Sequence, residues 1–404
     1  MIDEKYSELL ILLKEYSKNY SKPIKKKEKK VILEKLKMNK VLIPILIIIF
    51  SLSMLFLGSG CNIEKAVEET IEEAVEEAPA EEEEEAEEVI EEDQYKVEYP
   101  ITIEDDAGQQ EDSENRQITL EGPVEKIVVA EKCCATIIAE LGLTDKVLGG
   151  PDWLVGYKLD MDGEATNEPN FPGYEDVPSI GGYSGIDVEF LIGLEPDIFV
   201  NLVGHTDISD DQFEAAGIEI YTVGTIKDLD HIKQHITNYG IMFDEAEGAA
   251  KIVADMNSKE EKVKDAVDEL GLSEDEKPVV FMFGPVGDME TLQTWAPSGD
   301  TIVENLIVMA GGKCLTADQG LTGWPEYSLE SLLDSDPDVI ILPIGGWNFE
   351  SVEQFTSLAL VQDLSAVING NVYGIDSTLV FDLSFQNADA LVLFAEFING
   401  IDID

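Results

Sequence analysis

Few side chains in this 404-residue chain are equipped for chemistry, so each can be weighed. It has three histidines, His205, His231 and His235. His231 and His235 stand four apart, about one helical turn, a spacing that lets two imidazoles reach one metal ion. The same spacing more commonly marks a solvated helix face. Cys133 and Cys134 are adjacent and open a helical stretch, where a helix N-terminus favours the thiolate. Small buried thiols are the commoner fate of such residues. Cys133, Cys134 and His205 are the candidates for a direct bond to a metal carried in by a ligand. Cys61 and Cys314 add neither zinc-finger spacing nor a disulfide ladder. There is no Walker loop, no Gly-x-Ser-x-Gly elbow and no HExxH helix, so the chain does not read as an enzyme.

The aromatic residues say more. Trp153, Trp295, Trp324 and Trp347 all fall on loops that follow apolar runs or precede helices, and Tyr183 lies in Gly181-Gly182-Tyr183-Ser184. In doubly wound sheets such loops, at the carboxyl ends of strands, hold the ligand. Bulky rings flanked by glycine suit a broad, flat and largely apolar ligand. The bland alternative is that each ring plugs its own lobe. The candidate cleft set is therefore Trp153, Tyr183, His205, Trp295, Trp324 and Trp347. The chain has one arginine, Arg116, so a strongly anionic ligand is disfavoured. The net charge of -57 excludes a nucleic-acid partner, which needs a basic face.

Those loops must be carried by a scaffold. From residue 99 onward short apolar runs alternate with amphipathic stretches, which is the pattern of an α/β protein. Strands are expected over 124–130, 146–149, 197–203, 218–223, 278–283, 338–342 and 371–375. Helices are expected over 134–141, 187–194, 213–216, 301–310, 329–333, from 355, and over 387–399. Between the two groups, 244–270 contains no proline and predicts one long helix, capped by Asp244 and closed by Gly271. This gives a fold class of two Rossmann-like lobes joined by one rigid helix, with the ligand cleft between them. The lobes are 99–243 and 271–404.

The halves share a phrase. Asp187-Val188-Glu189-Phe190-Leu191 leads to Glu195-Pro196-Asp197, and Ser328-Leu329-Glu330-Ser331-Leu332 leads to Asp336-Pro337-Asp338. In each, the proline stops a helix and the aspartate opens a strand. With Tyr99-Pro100-Ile101-Thr102-Ile103, Asp106 and Gly108, with Pro123-Val124-Glu125-Lys126-Ile127-Val128, with the run Ala139 to Gly149 and with Asn369-Gly370-Asn371-Val372-Tyr373, the chain resembles the helical-backbone class of periplasmic binding proteins. That class serves ABC importers of iron-siderophore, heme and vitamin B12. The resemblance implies a permease and its ATPase as partners, and an iron chelate, corrinoid or heme as ligand. No intrinsic cofactor is implied. It implies docking to permease arginines through Glu189 and Glu330, with Glu326 as a neighbouring alternative in the C-lobe. The expected protein is a monomeric extracytoplasmic carrier. A surface adhesin, or a metal-centre enzyme on the same fold, is the alternative.

The first 98 residues read as an address. Residues 1–37 are lysine-rich, and Met38 offers a conventional signal start. Residues 41–57 are apolar except for Ser51 and Ser53 and follow Lys35, Lys37 and Lys40; Gly58-Ser59-Gly60-Cys61 comes next. Charged flank, apolar run and small residues ending at a cysteine resemble a lipoprotein signal over 38–60, with Cys61 as the lipidated residue. An uncleaved membrane anchor is the other reading. Residues 61–98 are dominated by glutamate and should remain an extended, self-repelling stalk.

Overall fold

The computed structural model describes residues 95–403 except 110–113, 160–164, 183–184, 204–209, 289–290 and 346–348. Residues 91–404 form one compact unit. The predicted signal, Cys61 and the stalk up to residue 94 lie outside the described residues. Among the described residues no helix is long and apolar enough to cross a membrane.

The chain enters through a hairpin, β1 (Ile101–Glu104) and β2 (Gln117–Leu120). The N-lobe sheet follows: β3 (Ile127–Val129), helix α1 (Lys132–Glu140) and β4 (Val147–Gly149). Two small hairpins, β5 (Tyr157–Leu159) with β6 (Ala165–Pro169) and β7 (Gly181–Gly182) with β8 (Gly185–Ile186), extend from it. Then come α2 (Val188–Gly193), β9 (Ile198–Leu202), α3 (Asp210–Ala216), β10 (Glu219–Val223) and α4 (Leu229–Met242). The long helix α5 (Ala246–Leu270) crosses to the C-lobe. There the order is β11 (Val279–Met282), β12 (Val286–Asp288), β13 (Gln293–Trp295), α6 (Ile302–Met309), β14 (Lys313–Cys314), α7 (Leu315–Asp318), β15 (Glu326–Tyr327) and α8 (Leu329–Ser335). The chain ends in β16 (Val339–Ile344), α9 (Val352–Thr356), α10 (Ser365–Asn369), β17 (Val372–Asp376), α11 (Ser377–Phe381) and α12 (Asn387–Asn399).

Both main sheets are parallel, and their orders, β10-β9-β3-β4 and β14-β11-β16-β17, are the same arrangement read from opposite ends. Numbered within its own lobe, each is 2-1-3-4. The strand order reverses between β3 and β9 in one lobe and between β11 and β16 in the other. Crevices at such reversals are where ligands bind.

Strand residues alternate between two packed layers. Ile127, Val129, Ile198 and Val200 face the core shared with α4 and α5. Val128 and Phe199 face Leu191 of α2 and Phe213 of α3. In the C-lobe, Val280, Met282, Val339 and Ile341 join the shared core, whereas Phe281, Ile340 and Leu342 face Leu332 of α8 and Phe355 of α9. With both faces covered, the strands read as continuous apolar runs. One core thus spans both lobes. Helix α5 joins it through a narrow stripe, with Ala249, Met256 and Val263 fully buried at seven-residue spacing. At 1.5 Å per residue it is about 37 Å long, a stiff connection. Gly240 lets α4 lie close against it, since a Cβ there would sit 2.5 Å from Ala249 Cβ.

Several boundaries differ from the sequence reading: the helices expected over 213–216, from 355 and over 134–141 are Asp210–Ala216, Val352–Thr356 and Lys132–Glu140, and two further differences have a visible cause. Asp244 does not cap α5. It takes a left-handed φ of 59° in the tight α4–α5 turn, and Glu245 precedes the helix without a side-chain cap. Residues 124–126 are not strand, because their amides are bound elsewhere. The Glu125 and Lys126 amides donate to the Asp197 carboxylate at 3.0 and 2.9 Å. The repeated phrase therefore has a second role. Asp338 likewise accepts from the Val279 amide at 2.8 Å, so each Pro-Asp ties the start of its own strand to its neighbour. The residues before the prolines, Glu195 and Asp336, both adopt positive φ, 51° and 44°.

Candidate functional site

The C-lobe crevice is built by the ends of β11 and its neighbours. Gly284, just past β11, is buried, and a Cβ on it would lie 1.8 Å from the Trp295 carbonyl and 3.1 Å from the Trp324 ring. The strand end and both tryptophans therefore meet at one point that admits only glycine. Trp295 is 42% exposed and Trp324 41%, despite this anchoring. Trp324 packs edge-on against Phe381, with ring centroids 5.8 Å apart. The next residue, Asp382, crosses the seam between the lobes: Thr136 Oγ1 of α1 donates to its Oδ2 at 2.6 Å. On the N-lobe side of the seam, Lys132 Nζ lies 5.9 Å above the ring of Phe171.

Trp324 and Phe381 thus pack together beside Gly284, just past the carboxyl end of β11, while Phe171 packs on Tyr174 within the N-lobe. Of the predicted cleft residues, Trp295 and Trp324 both adjoin Gly284, Trp295 through its backbone carbonyl and Trp324 through its ring. Trp153 sits in the turn after β4, half-buried against the N-lobe core, which fits a plug more than a free face. Tyr183, His205 and Trp347 lie outside the described residues. Phe171, Phe381, Thr136 and Asp382 were not singled out from sequence. Nothing local marks Asp382; only the fold brings it to Thr136, 246 residues away.

Asp382 is 6% exposed, and its Oδ1 is buried without a hydrogen-bond partner. Burial pushes its carboxyl up to about 6, against the opposing pull of the Thr136 bond and Lys132. The folded value lies above the unfolded one, so the folded state holds the extra proton between them. Stability is then lost as pH rises from about 4 to about 6, and the deficit is complete above that. Asp382→Asn should therefore be more stable than the parent at pH 8 by on the order of 2 kcal/mol, with the gap closing towards pH 4. Chemical denaturation of both chains at the two pH values checks this; a gap independent of pH would refute it.

Cys133 and Cys134 are 6% and 1% exposed, with sulfurs 3.7 Å apart and unbridged. The Cys134 hydrogen bond and burial push the Cys133 thiol well up. The thiolate expected at the head of α1 is thus disfavoured, because burial outweighs the helix N-terminus. A metal bond from these sulfurs would have to overcome that.

His231 and His235 do not form a solvated face. His235 is 2% exposed and His231 is half-buried, and both turn towards Asp106. Asp106 Oδ2 lies 2.7 Å from His231 Nε2 and 2.9 Å from His235 Nε2. The Asp106 bond raises His231, whereas burial lowers His235. Burial alone would raise Asp106, but the His231 bond, the His235 ring beside it and the Gly224 amide bond hold it well below the usual carboxylate range. The lone arginine is engaged nearby, with Arg116 Nη2 2.8 Å from Asp105 Oδ2 and a bond to Thr222 Oγ1.

Glu189 and Glu330 occupy equivalent places. Each is the second residue of a short helix, and both are exposed. Asp187 caps α2 by accepting from the Phe190 amide, and Ser328 caps α8 by accepting from the Ser331 amide.

Two lobes of one topology, joined by a single helix and bearing exposed rings at a switch point, define a two-lobed binding protein. Residues 127–379 match the family model described as periplasmic binding protein, and the chain belongs to that family. Its fold is the class III type, with a helical connection between lobes. The chain is 26% identical over 282 residues to the cobalamin-binding protein of Halobacterium salinarum, covering 69% of each. It is 26% identical over 294 residues to YvrC of Bacillus subtilis, an uncharacterized ABC transporter substrate-binding lipoprotein, covering 70% of this chain and 80% of that one. Among solved structures, the TroA-like periplasmic binding protein FepB from Veillonella parvula superposes with a TM-score of 0.59 at 22% identity, covering 75% of this chain and 93% of that one.

Proposed function

We propose that the chain is an extracytoplasmic carrier of an ABC importer, anchored by Cys61, that captures a flat and weakly charged metal chelate between its lobes. The observation that carries this reading is the exposed Trp324 ring on Gly284 at the C-lobe switch point, with the equally exposed Trp295 joined to the same glycine through its carbonyl. An apolar wall favours a ligand with broad apolar faces. The single arginine is engaged with Asp105 and Thr222, so a polyanionic chelate would meet little compensating charge. A corrinoid fits best, and the cobalamin-binding relative supports that choice; a ferric hydroxamate is second. Glu189 and Glu330 are the docking points for the permease.

Titration of the tryptophan fluorescence with cobalamin, heme and a ferric hydroxamate tests the reading. Saturable quenching by one of them is expected, with cobalamin the strongest. No quenching by any would remove the cleft from consideration.

A further inference from the structure

The cluster around Asp106 shares no residue with the aromatic set at Gly284, and its geometry is unusual for a hydrogen-bonded group. Three nitrogens converge on one carboxylate oxygen. The Gly224 amide donates to Asp106 Oδ2 at 2.9 Å, and His231 Nε2 lies 2.7 Å from the same atom. His235 Nε2 is also close, at 2.9 Å, yet it is not aligned for a hydrogen bond and has no hydrogen-bond partner. A buried ring nitrogen aimed at a carboxylate without a hydrogen bond is a costly arrangement. A cation between the three atoms would relieve it.

The other side of the His235 ring is already prepared. Its Nδ1 lies 2.7 Å from the Tyr221 hydroxyl, which in turn accepts from Asn238 Nδ2 at 2.8 Å. A hydrogen-bonded second nitrogen fixes the ring and leaves Nε2 for a metal, the arrangement that metal-bound histidines almost always show. His231 and His235 lie on successive turns of α4, with ring centroids 4.8 Å apart. The three ligand atoms all fall within 4.8 Å of one another. Zinc bonds of about 2.0–2.1 Å at tetrahedral angles set ligand atoms about 3.3 Å apart, so the two contacts to Asp106, at 2.7 and 2.9 Å, need to open by only about half an ångström.

We propose that Asp106, His231 and His235 form a resident site for one divalent first-row metal ion, with zinc the best fit. Two imidazoles and one carboxylate are borderline ligands that suit zinc over calcium or magnesium. The fourth position faces the half-exposed side of His231 and Asp106 and would hold water. The ion would tie the segment after β1 to α4, and α4 packs on the connecting helix α5. It thereby stiffens the N-lobe. Ligand capture in the cleft does not depend on it.

The test uses the full-length chain in detergent, stripped with a chelator and titrated with zinc against a chromogenic competitor. Excess calcium is present to saturate the acidic stalk, whose carboxylates prefer hard cations. One zinc equivalent that persists in calcium is expected, together with a rise in melting temperature. Asp106→Asn, His231→Gln and His235→Gln should each weaken that equivalent by at least about tenfold. Cys133→Ala should leave it intact, and cobalt in place of zinc should give d–d bands without a thiolate charge-transfer band. Absence of a calcium-resistant equivalent overturns the proposal, and so does one that survives His231→Gln. Because His231 is half-exposed, that variant decides the matter even where a variant at the buried His235 fails to fold. Cobalamin quenching measured on the same samples reads the cleft separately.

Discussion

Trp324→Ala is expected to weaken chelate binding by about 30- to 150-fold, and Trp295→Ala by a comparable factor. An indole that covers a flat ligand removes on the order of 100 Å² of apolar surface from water, which at about 25 cal/mol per Å² amounts to 2–3 kcal/mol. The loss should reach the full range at Trp324. Its ring rests on Gly284 and against Phe381, so it presents a fixed face and loses little rotamer freedom when a ligand arrives. Trp153→Ala is the contrasting variant. Its ring is half-buried against the N-lobe core, so its removal should lower stability more than affinity. Calorimetric titration of the three variants with cobalamin separates the effects. Unchanged affinity in both Trp295→Ala and Trp324→Ala would place the ligand elsewhere. If both variants lose the same ligand while their melting temperatures stay near the parent's, the C-lobe wall is the contact surface.

The parts of this arrangement that were legible in the sequence are those written by local chemistry. The Pro-Asp phrases place two helix ends and two strand starts, because proline cannot continue a helix and the residue before it is driven out of the α region. Gly271 closes α5 in a left-handed cap, as its lack of a Cβ allows. The last helix begins and ends where its apolar spacing says, at Asn387 and Asn399. What was not legible depends on distant partners. Asp106 was noted only as part of a family phrase, and nothing in its neighbourhood announces two histidines 125 and 129 positions further on. His235 looked like half of an exposed pair because its turn of α4 also carries Lys233 and Gln234. Only packing against Tyr221 and Asp106 buries it. Asp382 carries no sequence signal, and only α1 laid beside it supplies its partner. The thiolate expected at Cys133 failed for the same reason: helix position is local, but burial is not.

Charge reversal at both Glu189 and Glu330 is expected to abolish uptake while leaving chelate affinity within about twofold. Topology supports the separation. In a parallel α/β lobe, the helix before a strand runs antiparallel to it, so its first turn lies at the carboxyl end of the sheet, on the side of the cleft. Glu189 heads α2, which feeds β9, and Glu330 heads α8, which feeds β16. Each glutamate therefore stands on the cleft-side rim of its own lobe. A partner that engages both at once must sit across the cleft mouth, where a released ligand would enter it. An exposed pair is ordinarily worth under about 1 kcal/mol, but replacing attraction by like-charge contact across an interface costs several, or more than about a hundredfold in docking affinity. The chain's net charge of -57 makes two reversals a minor change to its overall field, so a general electrostatic effect is not expected. Glu353→Lys supplies the control. Glu353 is an exposed second residue of a capped helix, as the other two are, but it lies outside the repeated phrase. Uptake of labelled chelate by cells carrying each variant, set beside its dissociation constant in solution, gives the comparison. Equal losses from Glu353→Lys and from the paired reversal would show that the repeated phrase has no special claim on the permease. Loss confined to Glu189 and Glu330, with the chelate still held, would mean that the duplicated helix heads preserve a two-point contact, one point for each lobe.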